Sequence, residues 1–162
     1  MRVGVSGHQR LREPSGWEWV RRELRERLVA LAPTVVGVTS LAVGADTLFA
    51  EAVLGAGGAL EVVVPFEGYE EKFEAGRDRE EYRRLLGRAA RVEVLARADS
   101  DEESYYAAGR RVADLSDLLF LVWDGRPAAG LGGTGDIAAY ARRARKPFVH
   151  LNPETRAVNV GP

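Results

Sequence analysis

The chain has 162 residues, 46% of them hydrophobic and 29% charged, the make-up of one folded domain with room for a core. It has no cysteine and only two histidines, His8 and His150. That excludes disulfides, thiolate nucleophiles and cysteine-ligated zinc, argues against a histidine-rich metal centre, and with a net charge of −1 leaves no electrostatic footprint for nucleic acid.

In chain order, the opening MRVGVSG runs into a strand at 2–6 and lacks the apolar core of a signal peptide. A helical pattern follows over 17–31, with Trp17, Val20, Leu24, Leu28 and Leu31 at helical spacing and Ser15 placed to cap it. Residues 34–38 (TVVGV) read as the second strand and 45–54 as the next helix. The third strand is 60–64 (LEVVV). Beyond it, 66–79 is the longest irregular stretch, rich in Glu, Gly and Tyr, and reads as a solvated loop rather than a lid. Helices at 80–89, 102–115 and 136–144 then alternate with strands at 91–95, 117–123 and 147–151. No apolar stretch nears the roughly 20 residues of a membrane span, so a cytoplasmic protein is expected.

Several of the strands are short continuous apolar runs, as parallel strands covered on both faces require. The expected fold is a single α/β domain over 1–162, with a Rossmann-like, doubly wound, mainly parallel sheet of about six strands and helices on both faces.

In such a sheet, ligands bind beyond the carboxyl ends of the strands, where strand order reverses. The residues found there are Gly7, His8 and Arg10 after the first strand, and Ser40, Gly44 and Asp46 after the second. Asp124 follows the 117–123 strand, and the run Gly132, Gly133, Thr134, Gly135, Asp136 comes shortly after it. Glycines allow close backbone approach, free N–H groups at a helix start hold anions, and carboxylates accept from sugar hydroxyls. The 130–135 run matches G-x-G-x-x-G, but it is separated from its strand and does not make the first turn of a dinucleotide fold. There is no G-x-x-x-x-G-K-[ST] run, so a Walker-type ATPase is not supported.

Three stretches together resemble a known superfamily. SGHQRL is similar to a glycine–histidine–arginine loop. TSLAVGADTLFAEAVLGAGG is similar to an S-x-L-A-x-G-[AI]-D element followed by an Ala-rich helix. YYAAGRRVADLSDLLFLVWDG, followed by GLGGTGDIAAYARRARKPFVHL, is similar to a strand ending in W-D-G that leads into a G-G-T loop. In this order they resemble the SLOG superfamily, which includes DprA/Smf DNA-processing proteins, the "lonely guy" phosphoribohydrolases and molybdenum-cofactor carriers.

The resemblance implies that the 117–123 strand lies beside the first, with 91–95 at the edge next to the third. Residues 7–10 then face 132–136 across the switch point. It further implies phosphate held by the N–H groups of Gly133, Thr134 and Gly135 and by the Thr134 hydroxyl, with Arg110 and Arg111 as further phosphate candidates. In the phosphoribohydrolases a glutamate three residues after the loop threonine is catalytic. Here that position is Ile137, and the nearest acid, Asp136, comes one residue early on a shorter side chain.

A nucleotide-binding sensor or carrier is therefore expected, with Asp46 accepting from a ribose hydroxyl and Asp124 or Asp136 contacting sugar or a magnesium ion. The alternatives are a nucleotide hydrolase using Asp136, Asp124 or His8 as base, a molybdenum-cofactor carrier, and an interaction subunit without a ligand. A homo-oligomer is expected, with the Trp17/Trp19 helix as one candidate surface, and nucleic acid is not an expected partner.

Overall fold

The computed structural model describes residues 1–32, 34–127 and 130–162. Strands and helices alternate as β1 (Arg2–Gly7), α1 (Gly16–Leu31), β2 (Val36–Thr39), α2 (Ala45–Gly55) and β3 (Ala59–Val64). After a short 3-10 turn (Tyr69–Lys72) come α3 (Arg77–Leu86), β4 (Arg91–Val94), α4 (Asp101–Leu115), β5 (Leu118–Val122), α5 (Thr134–Arg143), β6 (Phe148–Leu151) and β7 (Val158–Gly161). The sheet order is β4-β3-β2-β1-β5-β6-β7, parallel up to β6, with β7 antiparallel on the edge. The crossovers run one way from β1 through β4 and the other way from β5, so the sheet reverses between β1 and β5.

Alternation along β5 shows how the sheet feeds two cores. Phe120 and Val122 join Val3, Val5, Leu24, Leu28 and Phe49 beneath α1 and α2. Leu119 and Leu121 join Val112, Ala113, Ile137 and Ala141 beneath α4 and α5. A strand buried on both faces needs apolar residues at every position, which is why LLFLV is continuous.

The expected α/β class and parallel order are found, with differences of detail. β7 is a seventh strand that VNVG gives little sign of, because Val158 and Val160 are exposed. Ser15 lies in helical conformation and makes no capping hydrogen bond with its side chain. That role belongs to Ser100, whose hydroxyl accepts from the Glu103 N–H at 3.1 Å and closes the start of α4. Trp19 is buried in the core and Trp17 packs partly against it, so this pair does not form an exposed apolar face.

The 66–79 stretch is not a solvated loop. Phe66, Tyr69 and Phe73 are buried, and Tyr69 sits edge-on to Phe66, Phe73, Tyr82 and Tyr105 at ring separations of 5.7, 5.1, 5.7 and 6.0 Å. Their spacing turns one side of the segment inward as a small aromatic core. Among the described residues, no helix is long and apolar enough to cross a membrane.

Candidate functional site

A cavity of about 280 Å³ opens at the carboxyl ends of β1 and β2, on the α4 and α5 side of the switch point. Its floor is the end of β1 (Val5 to Gln9), and α4 forms one wall through Tyr105, Ala108, Gly109 and Val112. These α4 positions recur at helical spacing, so one face of the helix supplies them all. The remaining walls are Ser40, Ala42 and Asp46 from the β2–α2 loop, Pro65 and Tyr69 after β3, and Gly132, Gly133, Thr134 and Ile137 at the start of α5.

The β2–α2 loop is fixed by Asp46. Its Oδ2 accepts from the Thr39 hydroxyl at 2.9 Å and from the Ser40 N–H at 3.1 Å, and the Thr39 hydroxyl in turn accepts from the Leu41 N–H. Burial pushes the Asp46 carboxyl up to about 6, against the hydrogen bonds from Thr39, Ser40 and Ala42 that favour its charged form. Gly44 cannot be another residue without strain. Its φ is +91°, and a Cβ there would lie 2.6 Å from the carbonyl oxygens of His8 and Gln9. The loop after β1 is thereby pressed against α2, where the Ala45 N–H donates to the His8 carbonyl.

The α5 loop is shaped by the same two devices. Asp136 Oδ2 accepts from the Gly132 N–H at 2.9 Å, folding the acid back on its own loop. Gly132 has φ of +90°, and a Cβ there would lie 2.8 Å from the Glu102 carbonyl of α4. Among the described residues, the N–H groups of Gly133, Thr134 and Gly135 find no protein acceptor, and the Thr134 hydroxyl has no hydrogen-bond partner. The positive end of the α5 dipole therefore faces the cavity through Gly133 and Thr134, whose N–H groups meet no acceptor among the described residues.

His8 and Asp124 are joined to each other. The Asp124 N–H donates to His8 Nε2 at 3.2 Å, and Asp124 Oδ1 lies 3.3 Å from the same nitrogen. Burial pushes the Asp124 carboxyl up, but the Arg126 N–H, His8 and the Arg126 guanidinium outweigh it and hold the group below its ordinary value.

Of the expected site residues, Gly7, His8, Ser40, Asp46, Gly132, Gly133 and Thr134 line this one cavity. Gly44, Asp124 and Asp136 stand behind it as shaping residues, and Gly135 is not part of its lining. Arg10 lies outside, 3.6 Å from Glu74, in a neighbouring hollow. Arg110 and Arg111 point away from the cavity. Arg110 stacks 4.8 Å above the Tyr140 ring, and Arg111 Nε donates to both Glu93 oxygens at 3.1 Å. Neither is placed to hold a phosphate there, because the cavity takes α4 residues from the other side of the helix.

Among the described residues, no arginine or lysine lines the cavity, and no three His, Asp or Glu side chains gather as a metal site. Tyr69, Tyr105 and Gln9 were not foreseen as site residues. The spacing of Phe66, Tyr69 and Phe73 was the available signal for the first of these.

No protein-family model and no curated sequence matches the chain. Solved structures do. DNA processing protein A from Helicobacter pylori, described for its single-stranded DNA binding mode, superposes with a TM-score of 0.63 at 20% identity over 93% of this chain and 64% of its own. DNA processing protein A from Streptococcus pneumoniae gives 0.63 at 18% identity over 92% of this chain and 49% of its own. The chain shares the Rossmann-like fold of these proteins. The molybdenum cofactor carrier protein of Chlamydomonas reinhardtii shares this fold, with a TM-score of 0.51 at 19% identity over 95% of this chain and 79% of that one. The chain spans less than two thirds of the length of either DNA processing protein.

Proposed function

We propose that the cavity binds a nucleotide or nucleotide-like phosphate ligand, as a sensor or carrier rather than an enzyme, with the phosphate seated at the start of α5. The observation that carries this is the pair of N–H donors on Gly133 and Thr134, unpaired among the described residues, which line a hollow at the sheet's switch point. With no arginine or lysine in the lining among the described residues, the phosphate is held by backbone and hydroxyl donors and by the helix dipole.

Two features favour binding over hydrolysis. Asp136 is engaged with the Gly132 N–H of its own loop, and Asp124 is engaged with His8 and the Arg126 N–H. Neither lines the cavity where a base would meet its substrate.

The test is a thermal-shift and calorimetry panel of nucleoside mono-, di- and triphosphates, a pterin phosphate and single-stranded oligothymidine, each with and without magnesium. Saturating binding stabilises by about 2.7 kcal/mol at a hundredfold excess over the Kd, a melting shift of about 5 to 10 °C for a chain of this size. Gly133→Glu, which puts a carboxylate where the phosphate sits, should abolish the shift, and Thr134→Val should weaken binding several-fold. A flat panel, or a Gly133→Glu protein that binds as well as wild type, would refute the proposal. A response to oligothymidine alone, falling steeply with salt, would transfer the site to single-stranded DNA.

A further inference from the structure

β4, Arg91-Val92-Glu93-Val94, alternates charged and apolar residues at one outer edge of the sheet. Its inner edge is occupied: β4 pairs with β3 in the register Val62↔Val92 and Val64↔Val94, and the Leu95 N–H continues the ladder onto the Val64 carbonyl at 2.9 Å. Successive residues of a strand turn their main-chain groups to alternate edges. Arg91 and Glu93, in step with Leu95, therefore serve β3, while Val92 and Val94 turn their N–H and C=O groups outward. Among the described residues no strand receives them. The side chains alternate between the faces in the same way. Val92 and Val94 extend the row of Val62 and Val64, which belong to the core beneath α1 and α2, yet they are 45% and 54% exposed. Arg91 and Glu93 lie on the opposite face, where both Glu93 oxygens accept from Arg111 Nε of α4.

Charge of a single sign guards an edge by repelling a second copy. Here the two charges are opposite and stand two residues apart on one face, which makes the edge self-complementary. About a two-fold axis at Val92, antiparallel pairing sets Val92 against Val92 and Arg91 of each copy against Glu93 of the other. Both groups have capacity for it. Arg91 makes no ion pair among the described residues, because Glu61, its neighbour across the ladder, is held by Arg2. Glu93 retains acceptor sites beside Arg111, since a carboxylate has about four. We propose that β4 is a dimerisation edge, where two copies of this chain pair antiparallel through Val92, with reciprocal Arg91–Glu93 ion pairs, into one continuous sheet. Charge selects the register. An axis at Glu93 would bring two carboxylates face to face, and an axis at Val94 would set Glu93 against Leu95. The far edge, β7, also exposes two valines, but Asn159 between them carries no charge, so nothing there selects a second copy. Because the strands of the two copies run in opposite directions, their cavities open at opposite ends of the joined sheet.

The experiment joins sedimentation velocity on the full chain to cysteine cross-linking. Two four-residue edges make a small interface, so wild type should show a monomer–dimer equilibrium with a Kd of about 1 to 100 µM. The chain has no cysteine, so an introduced one reports the register alone. Residues facing each other as a hydrogen-bonded antiparallel pair have Cα atoms about 5.5 Å apart, within the roughly 4.4 to 6.8 Å that a disulfide spans. Val92→Cys should therefore give a disulfide-linked dimer under mild oxidation. Val94→Cys, whose Cα atoms would stand about 13 Å or more apart, and Val160→Cys on β7 should do so about tenfold more slowly or not at all. Arg91→Glu and Glu93→Arg each set like charges opposite one another and should weaken the dimer about tenfold or more. Mixed together, these two variants oppose Glu to Arg at every position and should form a heterodimer close to wild-type strength, a recovery that misfolding cannot produce. The cysteine result stands independently of the charge variants. A wild type that stays monomeric through that concentration range, Val94→Cys or Val160→Cys linking as fast as Val92→Cys, or folded charge variants that associate no better mixed than alone would overturn the proposal.

Discussion

Replacing Asp46 with asparagine should stabilise the protein at neutral pH and leave it unchanged in acid. The folded protein holds the Asp46 proton up to about 6, whereas the unfolded chain releases it near 3.8. Because the native state binds the proton more tightly, stability falls as pH climbs from 3.8 to about 6, and the full cost is present above that window. At 1.36 kcal/mol per tenfold, the gap amounts to about 3 kcal/mol at neutral pH. Asparagine keeps an oxygen that can accept from Thr39 and Ser40 and carries no charge to desolvate. The hydrogen bonds it accepts are weaker than those of a carboxylate, so a gain of about 1 to 3 kcal/mol is expected. That raises the melting temperature by about 3 to 9 °C.

Urea denaturation followed by tryptophan fluorescence between about pH 4 and pH 8 measures the difference directly. Only the difference between the two proteins isolates Asp46. Glu70, Glu81, Asp101 and Asp124 are held below their ordinary values and act in the opposite sense, losing stability as pH falls. An Asp46→Asn protein that is less stable than wild type at neutral pH, or a difference that does not change with pH, would refute the reasoning.

Gly44→Ala should destabilise by about 2 kcal/mol or more, read as a lowered melting temperature, because the methyl meets the His8 and Gln9 carbonyls at a positive φ. An unchanged melt would mean the loop after β1 is free to move. Gly132→Val should lose most phosphate-ligand affinity in the calorimetric panel, since the new side chain would push the α5 loop off the Glu102 carbonyl; retained affinity would show that the loop conformation is dispensable. Ser100→Ala should cost about 1 kcal/mol in urea denaturation by uncapping α4, and Ser100→Asp should recover most of it.

The parallel sheet was legible because its inner strands are continuous apolar runs that few other structures accommodate, LLFLV of β5 above all. The glycine and acid residues of the loops were legible as turn chemistry. Their roles were not, since whether Asp46 faces a ligand or Asp136 faces its own loop depends on a rotamer and a partner. The cap of α4 was within reach: Ser100 and Glu103 stand at capping-box spacing ahead of the helix. β7 was not, because two exposed valines over four residues carry too little pattern, and its pairing with β6 is antiparallel where the rest is parallel. The aromatic segment misled because Glu and Gly between Phe66, Tyr69 and Phe73 give it the composition of a solvent loop.

The place of β1 at the centre of the sheet bears on how the chain is made. β1 precedes every other strand of the sheet in the chain, yet one of its two edges waits for β5, since Val3 pairs with Leu118 and Gly7 with Val122. Until the ribosome has released those residues, the backbone donors and acceptors along that edge have no strand to meet, and the side chains of Val3 and Val5 lack the contacts of Phe120 and Val122 in their core. Most of the chain must emerge before its middle can close. Translation speed through the segments between β2 and β5, or a chaperone gripping that edge, would then govern yield more strongly than the finished fold's stability.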